Sequence, residues 1–186
     1  MIKTTILLIL VITSLISTAC VQVPVTTNSK ANQLAITSVR DLPLTYPQGS
    51  LFSLSPKYVK EASLKGGQIQ AIYRLYTNVI INELHNNGFS SAATVQQADF
   101  YVGFGIALSE DFSDDKLSEK FGITPGLPEQ SDLKKGSFLI YIEDAATGQR
   151  VWRGIAQGFA NEKLTAEQRQ QRTTAIVASV MKQFYQ

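Results

Sequence analysis

Apolar and polar positions follow different periods along this chain, and each period predicts an element. Residues 6–12 form an unbroken apolar run that ends in Thr13-Ser14. A membrane-spanning helix needs roughly 20 apolar residues, so this run is too short for one. Lying between Lys3 and the small residues of 13–19, it has the layout of a secretory signal. Further on, Ile69, Ile72, Tyr73, Tyr76, Val79, Ile80 and Leu84 recur three and four apart, which predicts an amphipathic helix over residues 68–87. Gly66-Gly67 reads as its flexible entry. Gly88 is expected to close it in a left-handed conformation. Residues 100–108 alternate strictly. Phe100, Val102, Phe104, Ile106 and Leu108 share one face, while Tyr101, Gly103, Gly105 and Ala107 share the other. The first face of this strand needs a helix over it. The second is nearly bare, so a protein segment or a ligand is expected to lie flat on it.

Residues 34–42 predict a first strand, with Ser38 breaking the alternation of Leu34 and Ile36 before Val39. Leu51, Phe52 and Leu54 predict a short second strand stopped by Pro56. Residues 137–144 and 150–160 read as a hairpin, with Gly148 in the connection. Phe138, Ile140 and Ile142 point one way, and Leu139 and Tyr141 the other. Thr165-Ala166-Glu167-Gln168 has the spacing of a capping box. It opens a last helix whose buried stripe is Ile176, Val177, Val180, Met181 and Phe184. The order of strand, strand, helix, strand, hairpin, helix predicts an α+β fold in two layers: one mainly antiparallel sheet with two helices packed on one face. Between the fourth element and the hairpin, residues 109–136 carry Pro125, Pro128 and the glycines 122, 126 and 136. A loop of that length is the first candidate for a segment that contacts a partner.

Cys20 is the only cysteine, and it stands where the apolar start gives way to a polar stretch. Ile16-Ser17-Thr18-Ala19-Cys20 resembles the lipobox of bacterial lipoproteins, with Ser17 where that family usually has an apolar residue. The resemblance implies a diacylglyceryl group on the Cys20 thiol, cleavage just before it, and acylation of the new amine. Residues 1–19 are then a lipoprotein signal peptide, residues 20–33 a lipidated cysteine with its tether, and residues 34–186 a single periplasmic domain. One acyl chain holds a protein only marginally, whereas three would make attachment to the membrane close to permanent. Residues 21–33 would reach at most about 45 Å fully extended, keeping the domain near the bilayer. Val21 follows the cysteine where lipoproteins of this type carry aspartate for inner-membrane retention. Its identity implies the cell outer membrane, with the domain facing the periplasm.

Charge and composition narrow the functions further. The chain holds 17 Lys and Arg against 15 Asp and Glu, a formal net charge of +2, with no basic cluster. That excludes an electrostatic footprint for nucleic acid. Once Cys20 is acylated no thiol is left for a disulfide, so stability must come from packing. His85 is the only histidine, placed near the end of the predicted helix where a cation is favoured. There is no phosphate-cradling glycine loop, no paired zinc ligands and no dinucleotide fingerprint. No catalytic residue, cofactor or metal is expected. The acids Glu110, Asp111, Asp114, Asp115 and Glu119 do not match an EF-hand loop and read as a solvated stretch.

Residues 142–154, with Asp144, Thr147, Gly148, Trp152, Arg153 and Gly154, resemble a bacterial lipoprotein family filed as domain of unknown function 4136. Ala98-Asp99-Phe100 is similar to that family's entry into a strand. The resemblance runs from about residue 34 to the end. It implies a lipidated periplasmic domain of undetermined activity and carries over no catalytic residue. Asp144 and Thr147 have a plain structural use in bonding turn amides, with Gly148 at positive φ. Trp152, Arg153 and Tyr101 are the candidate interaction residues, since Trp, Tyr and Arg dominate binding hot spots. Against that stands the plainer placement of Trp152 in the core.

The reading that follows is a non-enzymatic membrane-anchored lipoprotein of the envelope, an accessory or interaction domain. It would have the membrane, through Cys20, and an envelope protein as its partners. The alternative is a lipid- or small-molecule-binding module. That reading expects a cavity lined by the 101–105 strand face, Tyr141 and Trp152.

Overall fold

The structure, a computed structural model, describes residues 32–57, 67–108, 118–119, 121–161 and 163–186. The signal, Cys20, most of the tether, Gly66 and the acids 110–115 lie outside the described residues. The elements in chain order are β1 (Leu34–Arg40), β2 (Leu51–Leu54), α1 (Gly67–Asn86), β3 (Ser90–Ser91), β4 (Phe100–Leu108), β5 (Lys135–Asp144), β6 (Arg150–Phe159) and α2 (Ala166–Met181). The fold is α+β. Among the described residues the strands form one sheet in the order β1-β6-β5-β4-β2-β3.

The sheet is mixed. The β1–β6, β6–β5 and β5–β4 pairs are antiparallel, whereas β2 pairs parallel with both β4 and β3. The antiparallel character expected from the sequence therefore holds across the four long strands and fails at one edge. The physical reason lies in the connection. β2 and β4 are separated by α1, and a strand that returns through a helix comes back parallel to where it left. β3 adds a further short parallel strand, held by Ser90 N–H to Ser50 O (3.1 Å) and Ala92 N–H to Phe52 O (2.8 Å).

Both helices contribute to one core with one face of the sheet. Phe100, Val102, Phe104, Phe138, Ile140, Ile142, Trp152 and Ala156 from the strands meet Val79, Ile80 and Leu84 of α1 and Val177, Val180 and Met181 of α2. Each large apolar side chain buried this way stabilises the fold by about 1.5–3 kcal/mol relative to exposure. Each helix is ended or begun by its own side chains and turns. Gly88 adopts φ 86, with its N–H on His85 O (3.0 Å), and Phe89 N–H reaches Leu84 O (3.1 Å). This is the paired bond pattern of a Schellman motif, and it drives Phe89 into the core behind the helix. At the start of α2 the capping box forms in both directions, Gln168 N–H to Thr165 Oγ1 and Thr165 N–H to Gln168 Oε1.

The second face of the sheet is partly covered by the chain itself. Ile123 packs with Leu139 and Ile155, joined by Val39 and Phe121. Leu127 N–H donates to Gln157 Oε1 at 3.2 Å in the buried floor of this contact. The described part of the long 109–136 connection thus lies on β5 and β6, beside the bare β4 strip on which the sequence led us to expect a segment or ligand. Val39, which looked out of phase in the sequence, belongs to this face, opposite Arg153 in the β1–β6 register.

Candidate functional site

Alternation along β6 sends Trp152 and Arg153 to opposite faces. Trp152 lies opposite Ile142 and is 1% exposed, its ring centroid 5.6 Å from that of Phe184. It fills the core under α2 and offers no surface to a partner. Arg153 lies opposite Tyr141 on the second face, with 11% of its side chain exposed. Its Nη1 donates to Asp41 Oδ1 at 2.7 Å, and Arg150 Nε donates to Asp41 Oδ2 at 3.0 Å. One carboxylate therefore serves two guanidinium groups. Burial, and after it the nearby Arg150, lowers the Arg153 pKa from the ordinary arginine value, with Asp41 acting against both. Arg153 Nε is buried without a hydrogen-bond partner.

Tyr101 is half-buried on that second face, its hydroxyl donating to Val95 O at 3.3 Å. The bare strip of β4 next to it is filled unevenly. A Cβ at Gly103 would lie 2.0 Å from Tyr141 Cζ, so the Tyr141 ring occupies that space, whereas nothing lies within 4 Å at Gly105. The cavity expected for a small-molecule module does not assemble from the residues expected to line it. Tyr101, Gly103, Gly105 and Tyr141 are on one side of the sheet and Trp152 is on the other.

The turn between β5 and β6 uses its polar residues on itself. Asp144 Oδ1 accepts from both the N–H and the hydroxyl of Thr147, each at 2.8 Å, and Gly148 takes φ 67. Asp144 Oδ2 accepts from Tyr46 at 3.1 Å. The Thr147 hydroxyl bond is the largest cause that lowers the Asp144 pKa from its ordinary value. Burial, followed by the Asp144 charge, raises that of Tyr46. Asp99 performs a similar task at the neighbouring strand entry, where its Oδ2 accepts from Leu51 N–H at 2.7 Å and fixes β2 beside β4. These motif residues hold strand ends together.

His85 and Ser91 meet on the surface, Nε2 to Oγ at 2.9 Å, with the imidazole 5.6 Å from the Phe52 ring. The helix end and the short strand β3 bring them together, a pairing the sequence did not suggest because β3 has no periodic signal. Among the described residues no group of three or more His, Cys, Asp or Glu could hold a metal ion, and no helix is long and apolar enough to cross a membrane. One open cleft of about 370 Å³ lies between the start of β1 and the outer side of α2, lined by Asn32, Leu34, Leu164, Gln168, Gln171, Arg172, Ala175 and Ile176. Sequence reasoning missed it. Leu34 and the polar side of α2 come together only once β1 is placed at the sheet edge.

No curated protein sequence matches the chain. Among solved structures, a PelC dodecamer from Paraburkholderia phytofirmans shares 12% identity, covers 82% of this chain and 98% of that one, and has a TM-score of 0.43. A DUF4136 family protein from Bacteroides thetaiotaomicron shares 13% over 82% and 97%, with a TM-score of 0.46. A PDZ domain protein from Parabacteroides distasonis shares 11%, with a TM-score of 0.53. It covers 82% of this chain, which spans only 36% of that longer protein. At that identity the likeness is one of fold alone. The family model described as Domain of unknown function (DUF4136) matches residues 46–184, and the chain belongs to that family.

Proposed function

We propose that this chain is a non-enzymatic lipoprotein of the bacterial envelope whose folded domain serves as an accessory interaction module. The observation that carries the reading is the sequence of residues 1–20: one basic residue, a short apolar run, small residues, then Ile16-Ser17-Thr18-Ala19-Cys20. That order prescribes export and acylation of Cys20. Three acyl chains on one residue fix the protein to the bilayer, and Val21 directs it to the outer membrane with the domain in the periplasm. How the polar motifs are used supports a binding role rather than a chemical one. Asp144 and Thr147 close a turn, Asp41 joins two arginines, and Asp99 clamps a strand.

The test is metabolic labelling with a palmitate analogue in a Gram-negative host. The native chain takes up label and sediments with outer membranes, while Cys20→Ala is unlabelled and remains uncleaved or untethered. Labelling of Cys20→Ala equal to the native chain, or an unlabelled native chain, rejects the anchor.

A further inference from the structure

Among the described residues β1 is an open sheet edge. Asp41 N–H donates to Val151 O at 2.8 Å, which sets the phase of the β1–β6 ladder. The bonded positions two residues apart are then Val39, Thr37 and Ala35, opposite Arg153, Ile155 and Gln157. The backbone groups of Ile36, Ser38 and Arg40 point the other way, and among the described residues β1 pairs with β6 alone. Protein sheets usually blunt such edges with proline, lysine, a bulge or extreme shortness. β3, at the opposite edge, has only two residues. β1 has seven, with no proline or lysine and an unbroken register. Its one charged side chain, Arg40, is turned onto Leu44 O and Phe184 O, both at 2.9 Å.

The 370 Å³ cleft runs between the start of this strand and α2, and it combines the apolar Leu34, Leu164, Ala175 and Ile176 with the amides Asn32, Gln168 and Gln171. Among the described residues Arg172 is the only charged residue lining it. Its Nη2 is pinned to Phe159 O at 2.7 Å, so the guanidinium is held in place at the cleft wall. An arginine has five N–H donors, more than that one bond uses.

We propose that β1 and the β1–α2 cleft together take an extended acidic peptide from a partner protein as an added strand. The backbone groups of Ile36, Ser38 and Arg40 supply the ladder, alternate side chains enter the cleft, and an acidic side chain meets Arg172. This names the surface of the interaction module and so rests on that reading, while being independent of the lipid at Cys20.

The probe is a phage-displayed library of random eight-residue peptides, panned against the full chain in detergent. Recovered sequences are expected to be acidic with apolar residues at alternate positions. They are expected to perturb the Ile36, Ser38 and Arg40 amides. Arg172→Gln is expected to weaken them roughly 10- to 100-fold, the range for a lost charge-assisted hydrogen bond. Gln171→Glu, a change at an exposed position, is expected to weaken them by repulsion and to leave the unfolding midpoint and palmitate labelling intact.

Recovery of no peptide above background, or of peptides indifferent to both variants, overturns the proposal. So does binding that appears only when residues 21–31 are removed, or a dimer of the full chain that Gln171→Glu disperses. Those two outcomes would assign the edge to the chain itself or to a second copy. Loss of labelling at Cys20 with peptide binding retained would instead reject only the anchor.

Discussion

A methyl group added at Gly154 would meet Trp152 Cη2 at 2.5 Å and Val180 Cγ1 at 2.6 Å, both in the core between β6 and α2. Neither neighbour can swing into solvent, so Gly154→Ala overpacks the interface and is expected to cost about 1–3 kcal/mol. Gly105→Ala, with open space above it, is expected to stay within about 0.5 kcal/mol of the native chain. Denaturant midpoints measured side by side check this, and equal losses at the two glycines would refute the packing account. The same contrast shows what was legible at this scale. Strand alternation was enough to predict which β4 residues share a face. It also separates Trp152 from Arg153, two adjacent candidate interaction residues. What the sequence did not disclose was which segment would cover the second face. That depended on the connection carrying Phe121 and Ile123, whose pattern has no period, folding onto Leu139 and Ile155.

At the scale of elements, the β5–β6 turn ties stability to pH. Asp144 titrates below its ordinary 3.8 in the folded chain because the charged form accepts from Thr147 and Tyr46. The unfolded chain therefore binds that proton more readily than the folded one. The stabilisation is complete above about pH 5 and is lost as the pH falls through 3.8 and on through the folded pKa. Asp144→Asn should lower the unfolding midpoint at pH 7, and its difference from the native chain should shrink as the pH drops below 4. A difference constant from pH 7 to pH 3 would contradict the assignment. Elements with strong local signals were read within a residue or two. α1 with its closing Gly88, the capped start of α2, and the Asp144–Gly148 turn all depend on neighbours close in sequence. Pairing between distant strands was the weaker part. The parallel placement of β2 against β4 was implicit in a strand–helix–strand order, yet a four-residue strand carries too little pattern to impose it. Two serines form β3 without any pattern at all.

For the whole molecule, the unequal faces of the sheet predict unequal consequences of similar truncations. Phe184 lies just past the end of α2, 5% exposed, with ring centroids 5.6 Å from Trp152 and 6.0 Å from both Phe89 and Phe100. Its carbonyl accepts from Arg40, which ties the last turn of the chain to the first strand. Phe184→Ala removes a ring packed among Tyr46, Phe89, Phe100 and Trp152, and it is expected to cost about 3–5 kcal/mol in a single cooperative transition. Ile123 is buried as well, at 6% exposure, but it belongs to a cluster of three buried residues bonded to the sheet through Leu127 and Gln157. Ile123→Ala is expected to release that covering segment locally, speeding amide exchange and protease cleavage around residues 121–127. The main transition should move by less than half of the Phe184→Ala shift, because the helix-side core does not depend on Ile123. Exchange rates and denaturant midpoints measured on both variants decide the matter. Should Ile123→Ala lower the midpoint as far as Phe184→Ala, the two faces would form one cooperative core, and the covering segment would be as integral to the fold as the helices.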